Sequence, residues 1–284
     1  MKVERFEVLA KGMGFVEAPL FDAAAGVLVA DETAGGVWRV DGDAPSVVVR
    51  HRRGISGTAI HRDGWILVSG RNLAARRAAP DDSPTVVLIE QDERRIAFGD
   101  MVVDHLGRVL VGALGYRPEG PVVPADPPPG QLLCLELDGS VTVVNDDILL
   151  PNGIGVSPDG RTLYHVDSVR NHIVVHEISE GGAIGPARPF ADIKRGTGDG
   201  LAVAADGSVW VATLHAGAIL VLAPDGTERG HLEVERTVTS LCFSGDHLQD
   251  LVVTSVDGHG GDGRVLRARG LGPGVPVPRA AVQI

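Results

Sequence analysis

Apolar residues along this chain fall into short blocks, paired across turns rich in Asp and Gly. One such pair, A-P-L-F-D-A-A-A-G-V-L-V-A-D, begins at Ala18. Close copies are T-A-I-H-R-D-G-W-I-L-V-S-G, M-V-V-D-H-L-G-R-V-L-V-G, I-G-V-S-P-D-G-R-T-L-Y-H-V-D and L-A-V-A-A-D-G-S-V-W-V-A-T, with a looser sixth in S-L-C-F-S-G-D-H-L-Q-D-L-V-V-T-S. Asp-Gly between alternating apolar residues marks a β-hairpin. The turn glycines Gly26, Gly64, Gly107, Gly160 and Gly207 stand 38 to 53 residues apart. Weaker strand pairs follow the hairpins, as in V-W-R-V-D with S-V-V-V-R. Repeats of this length made only of strands predict propeller blades. Four strands in each of six copies predict an all-β, six-bladed β-propeller of four-stranded antiparallel blades, filling residues 1–284 as one domain. The strand Val3–Ala10 has no hairpin of its own and is expected to complete the last blade. No helix-period segment and no interdomain linker interrupt the pattern.

Composition agrees: the 284 residues are 44% hydrophobic and include 38 Gly and 18 Pro, which suits many strands joined by tight turns. A net charge of −11 argues against nucleic acid or an anionic membrane as partner. No apolar run approaches the roughly 18 residues of a membrane helix. The start of the chain lacks the apolar core of a signal peptide. Cys134 and Cys242 lack metal-ligand spacing and read as reduced core residues. The expectation is a cytoplasmic protein acting on a small molecule, with its oligomeric state open.

The architecture sorts the loops onto two faces. Starts of first strands and second-to-third connections share one face: Asp31–Gly36, Gly70–Pro84, Leu114–Gly130, Asp167–Asn171, Leu214–Gly217 and Val256–Gly263. The Asp-Gly turns, with His61, His105 and Asp159, lie on the other face and read as structural. Glu17, Asn152 and Asp199 stand at starts of first strands, in E-A-P-L-F-D, P-N-G-I-G-V and G-D-G-L-A-V. If the repeats close into a ring, these three oxygen-bearing side chains converge. Carboxylate and amide oxygens suit one hard divalent cation, Ca2+ first, with Zn2+, Mn2+ and Mg2+ as alternatives.

The repeats and these three residues resemble the senescence-marker-protein/gluconolactonase family, which includes regucalcin-like lactonases, over nearly the whole chain. The resemblance implies a six-bladed propeller with one divalent cation on its axis. V-E-A-P-L-F-D places a metal role on Glu17, and L-P-N-G-I-G-V-S-P-D-G-R-T-L-Y places one on Asn152. G-D-G-L-A-V-A-A-D-G-S-V-W-V-A implies that Asp199 is a ligand and the catalytic acid/base or nucleophile. The third blade departs from the pattern. It reads A-F-G-D-M-V-V-D, so Gly99 stands where the family usually has Asn, Ala97 stands where sugar-acid lactonases often have Arg, and Asp100 matches the second residue of the pair.

Further candidates follow from placement. His215 ends a second strand on the ligand-bearing face and reads either as an acid/base or as a loop histidine. Arg71 and Asn72 leave a second strand on the same face and read as substrate contacts or as structural pairs. Asp167 is a candidate near the site or a turn cap. Asp100 faces substrate or holds backbone. The proline-rich stretch Gly115–Gly130 is expected to fold over the channel mouth, with Tyr116 and Arg117 reaching substrate and Val122 and Val123 forming an apolar wall. His259 reads as part of a loop, and Ser56 lacks nucleophile-elbow spacing. The leading expectation is metal-dependent hydrolysis of a lactone or related ester. Phosphotriester hydrolysis, elimination, cyclisation or isomerisation on the same scaffold and a non-catalytic binding propeller are the alternatives.

Overall fold

The computed structural model describes residues 6–50, 53–78, 84–117, 125–258 and 261–284. Six four-stranded antiparallel sheets make six propeller blades. The innermost strands, in chain order, are Val16–Asp22, Thr58–Ile60, Ala97–Val103, Pro151–Val156, Thr197–Val203 and Thr237–Ser244. Later strands of each blade step outward in sequence order, and only the sixth blade breaks this rule. Its outermost strand is Glu7–Met13, paired antiparallel to Gly263–Ala268. The N-terminal strand therefore closes the ring as expected, although it runs on to Met13 rather than ending at Ala10.

Core side chains pack between neighbouring blades. Leu67 and Leu73 of blade two meet Phe98 and Val111 of blade three, and Trp210 of blade five meets Phe243 of blade six edge-on at 5.7 Å. Near the axis the innermost strands approach closely. A Cβ on Gly153 would sit 2.5 Å from the Asp199 carbonyl oxygen, so only glycine allows blades four and five this contact. Hydroxyls tie other neighbours: Thr239 Oγ1 donates to Val16 O at 2.6 Å, and Thr58 Oγ1 donates to Ala18 O at 3.1 Å.

The Asp-Gly turns are structural, as expected. Asp104 is fully buried, accepts the Leu106 and Arg108 amides at 3.0 Å each, and pairs with the Arg108 guanidinium at 2.8 Å. In the sixth copy a 3-10 turn, Asp246–Leu248, replaces the Asp-Gly turn. One loop expectation is corrected. Gly70–Pro84 is not one connection, because Leu73–Arg77 forms the third strand of blade two. Leu73, Ala74 and Ala75 are fully buried there, and the Arg77 guanidinium lies 4.5 Å from the Trp65 ring centre. Burial and this stacking override the weak strand propensity of alanine.

The C-terminal segment, residues 271–284, straps the face that carries the Asp-Gly turns. Ala205 N donates to Pro273 O (2.9 Å) at blade five, Ala280 N to Ile60 O (2.8 Å) at blade two, and Ala281 N to Gly107 O (2.8 Å) at blade three. The His61 ring accepts the Asp63 amide on Nδ1 at 3.1 Å, so its Nε2 carries the proton donated to Val282 O at 2.9 Å. Arg279 pairs with Asp22 at 2.8 Å. Among the described residues, no helix is long and apolar enough to cross a membrane.

Candidate active site

Strand pairing slips by β-bulges at the starts of the innermost strands: between Glu17 and Leu20, Phe98 and Met101, Pro151 and Ile154, Gly198 and Leu201, and Val238 and Ser240. A bulge re-aims the side chains beside it. Glu17, Gly99, Asn152 and Asp199 all lie at such bulges. Ala18, just after Glu17, adopts φ 47°, a left-handed conformation that costs energy for a residue with a Cβ.

These positions form one electrostatic unit. Burial holds the Glu17 carboxyl well above the usual carboxylate range, and Asp199, Glu32 and Asp100 push it further. Burial likewise holds Asp199 well above its usual range; Asp100 and Glu32 add to this, and a hydrogen bond from Asn152 offsets part of it. The Asp100 carboxyl is pushed up to about 7 by burial. Burial raises Glu32, the Arg117 guanidinium pulls it back, and Asp31 pushes it up again. Four acids thus lie within reach of one another's charge.

The amide is oriented by a residue that sequence reading passed over. Ser168 Oγ donates to Gly198 O at 2.6 Å, so it accepts from Asn152 Nδ2 at 3.0 Å. With Nδ2 committed to donation, Asn152 Oδ1 is left to face a cation. Glu32 was also passed over. Glu32 and Ser168 each follow a buried strand-end aspartate, in A-D-E and V-D-S, and that shared position is the signal that could have found them. The two aspartates pin their loops. Asp31 accepts Gly14 N (2.7 Å) and Ala34 N (2.8 Å). Asp167 accepts Leu149 N (3.0 Å), Leu150 N (3.3 Å), Val169 N (3.2 Å) and Arg170 N (3.3 Å), and pairs with Arg170 at 3.0 Å. Its oxygens are thereby occupied, and its carboxylate fixes the loop that leads to Ser168.

Among the described residues, no three His, Cys, Asp or Glu side chains form a metal-ligand group. A cation held here would instead use two carboxylates and one amide, Glu17, Asp199 and Asn152. The donor set is all oxygen, and the uncompensated negative charge around it suits a divalent ion.

Other candidates stand further out. His215 is exposed in a turn at φ 63°. Arg71 donates to Gln91 Oε1 at 3.1 Å and is exposed, with half-buried Asn72 beside it. Tyr116 is 8% exposed, and its hydroxyl is buried with no hydrogen-bond partner. Burial and the Asp167 charge hold that phenol above its usual range. Arg117 is exposed. Val122, Val123 and His259 lie outside the described residues.

Gly99 has room for a Cβ. A Cβ there would stand 3.4 Å from the nearest atom, a Leu114 methyl, and 4.0 Å from Ser56 Oγ. If the acids hold a cation, Gly99→Asn is expected to add an amide oxygen and tighten cation binding several-fold in a calorimetric titration.

Comparison with known proteins bears on the family and the fold. The family profile described as SMP-30/Gluconolactonase/LRE-like region matches residues 15–257. The pentonolactonase XacC of Haloferax volcanii is 30% identical over 211 residues, covering 72% of this chain and 68% of that protein. A luciferin-regenerating enzyme superposes with a TM-score of 0.86 at 19% identity, covering 98% of this chain and 99% of that one. The calcium-binding protein regucalcin from Agrobacterium tumefaciens superposes with a TM-score of 0.81 at 23% identity, covering 99% and 98%. By the extent of the profile match, the chain belongs to the SMP-30/gluconolactonase/LRE-like family.

Proposed function

We propose that this protein is a divalent-cation-dependent hydrolase of a lactone or a related ester. The observation that carries the reading is the group of mutually repelling acids, Glu17, Asp199, Asp100 and Glu32, beside an amide whose oxygen is free. The pentonolactonase relative supports the reaction class, and the calcium-binding neighbour supports a cation. A bound divalent cation would neutralise the acids and polarise the carbonyl under attack.

The chain's own groups supply the rest. Asp199 takes the proton of the attacking water and returns it to the leaving alkoxide as the ring opens to a hydroxy acid. If it attacks directly instead, the ring opens to an Asp199-bound acyl anhydride with the alkoxide protonated, and water then cleaves the anhydride to release the hydroxy acid and free Asp199. An acid with its pKa near 7, as at Asp100, can exchange protons at neutral pH or hydrogen-bond the substrate. The Tyr116 hydroxyl donates to a substrate oxygen, which gives its unpaired group a partner. The Arg117 charge acts on Glu32 and favours a polar or anionic substituent. His215, exposed at the rim, serves as a secondary proton carrier. Arg71 and Asn72 line the rim further out. Ala97 and Gly99 remove a cation and an amide from the wall, which disfavours a sugar acid. Cys134 and Cys242 are free thiols held up to about 12 by burial, which fits a reducing cytoplasm.

The test is a panel of lactones, aryl esters and organophosphates, run before and after chelation and after return of Ca2+, Mn2+, Zn2+ or Mg2+. The reading expects lactones to be preferred and chelation to abolish turnover reversibly. Preference for organophosphates, or turnover indifferent to chelation, would contradict it. Separately, Tyr116→Phe removes an unpaired buried hydroxyl, whose burial costs about 1–3 kcal/mol. The variant is expected to melt no lower than wild type while KM for the best lactone rises about tenfold. A KM unchanged from wild type would place the hydroxyl outside the substrate's reach.

A further inference from the structure

Ser56 carries no nucleophile spacing in the sequence, yet ring closure gives it a place at the site. A Cβ on Gly153, the residue after Asn152, would sit 2.5 Å from Asp199 O of the next blade. A Cβ on Gly57, the residue after Ser56, would sit 2.3 Å from Gly99 O of the next blade. Ser56 therefore stands to Gly99 as Asn152 stands to Asp199, at the same level of the ring. On its other side Thr58 Oγ1 donates to Ala18 O at 3.1 Å, which seats this stretch against blade one just past Glu17. The surrounding backbone is held in place. Ser56 N donates to Ser69 Oγ at 3.2 Å, and across blades two and three Gly70 N donates to Phe98 O at 3.0 Å and Phe98 N to Gly70 O at 2.7 Å.

The Ser56 hydroxyl is uncommitted. The residue is half-buried, and its Oγ makes no hydrogen bond to a described residue. A Cβ on Gly99 would lie 4.0 Å from it, so this oxygen faces the gap beside the glycine. Blade six offers no such group. Its bulge residue Thr239 is fully buried, and the hydroxyl donates to Val16 O at 2.6 Å. A serine oxygen is one bond nearer the backbone than the oxygens of asparagine or aspartate. From the same level of the ring it stops short of an ion that Asn152 and Asp199 reach, and a water spans the difference. The water's lone pair faces the ion while its proton is donated to Oγ, which has acceptor capacity to spare.

We propose that Ser56 is a positioning residue, whose hydroxyl holds the water that completes the cation's shell beside Gly99. This rests on the reading of a divalent cation at Glu17, Asn152 and Asp199. The test is calorimetric titration of Ca2+ into the full chain and its variants, with melting of each variant in the absence of cation. Ser56→Ala is expected to bind Ca2+ about fivefold more weakly, the scale of one neutral hydrogen bond. Its cation-free melting temperature should match wild type, because the hydroxyl it removes has no partner there. Ser56→Thr keeps the hydroxyl and should bind within about twofold of wild type. Gly99→Ala puts a methyl into the same gap and crowds the water out. It should weaken Ca2+ about as much as Ser56→Ala, and the double variant should be no weaker than either single one. Ser56→Thr as weak as Ser56→Ala, additive losses in the double variant, or a lower cation-free melting temperature for Ser56→Ala would each overturn the proposal. Wild type that binds Ca2+ while Ser56→Ala binds it equally well overturns the role of Ser56 alone. Wild type that binds none of Ca2+, Mn2+, Zn2+ or Mg2+ overturns the cation-dependent reading and the role of Ser56 with it.

Discussion

Asp199→Asn is expected to lower lactone turnover by about two orders of magnitude or more, the scale of a lost positioned acid/base. The substitution keeps an oxygen that can face a cation but removes the charge and the basicity. Asp199 is only 3% exposed and shares its surroundings with Asp100 and Glu32, which raise its pKa. Removing one of several repelling acids should therefore raise the melting temperature of the cation-free variant. Loss of turnover with gain of cation-free stability distinguishes a functional acid from a structural one, whose loss would lower both. Near-normal turnover at saturating cation would remove Asp199 from the chemistry.

The second large effect is on stability against pH. Burial raises the Asp100 carboxyl from 3.8 to about 7 and moves Glu17, Asp199 and Glu32 in the same direction. A raised carboxyl binds protons more tightly in the folded than in the unfolded state. Its stabilising contribution is complete below the unfolded pKa and is lost as pH rises through the folded one. For Asp100 that window runs from about pH 4 to about pH 7, and the loss approaches about 4 kcal/mol at about 1.4 kcal/mol per pKa unit. The buried pair His165 and His176 runs the other way. Their Nε2 atoms lie 3.2 Å apart, and burial with neighbouring His176 and His172 holds His165 down at about 3. A depressed histidine makes the fold gain stability as pH rises toward its unfolded value, so raw pH curves mix both effects. The difference between Asp100→Asn and wild type isolates the acid. In cation-free urea unfolding at pH 5 and pH 8, Asp100→Asn is expected to lose markedly less stability with rising pH than wild type. Saturating Ca2+ should shrink that difference. Parallel behaviour of the two proteins would mean that the Asp100 charge is already compensated.

The ring was legible in the sequence because its signals are local. Each Asp-Gly turn and its alternating flanks specify a hairpin within a few residues, and six hairpins at propeller spacing leave few other folds. Glu17, Asn152 and Asp199 were legible because they recur at one place in the repeat. What escaped depends on contacts far apart along the chain. The strap after Leu271 has no alternation, and distant turns at Ile60, Gly107 and Leu137 define its path. Ser168 gains its meaning only when blade five places Gly198 O beside it. Glu32 carries no strand periodicity, and its place among the acids comes from ring closure. The third strand of blade two was hidden by its alanines, which become strand residues through burial between neighbouring sheets.

The most direct test is a crystal structure of the protein grown with Ca2+. The account predicts one ion on the propeller axis with Glu17, Asn152 Oδ1 and Asp199 oxygens at ~2.3–2.6 Å and water completing the shell near Gly99. Side chains of these three residues turned away from a common centre, or an ion bound elsewhere with this position empty, would contradict it.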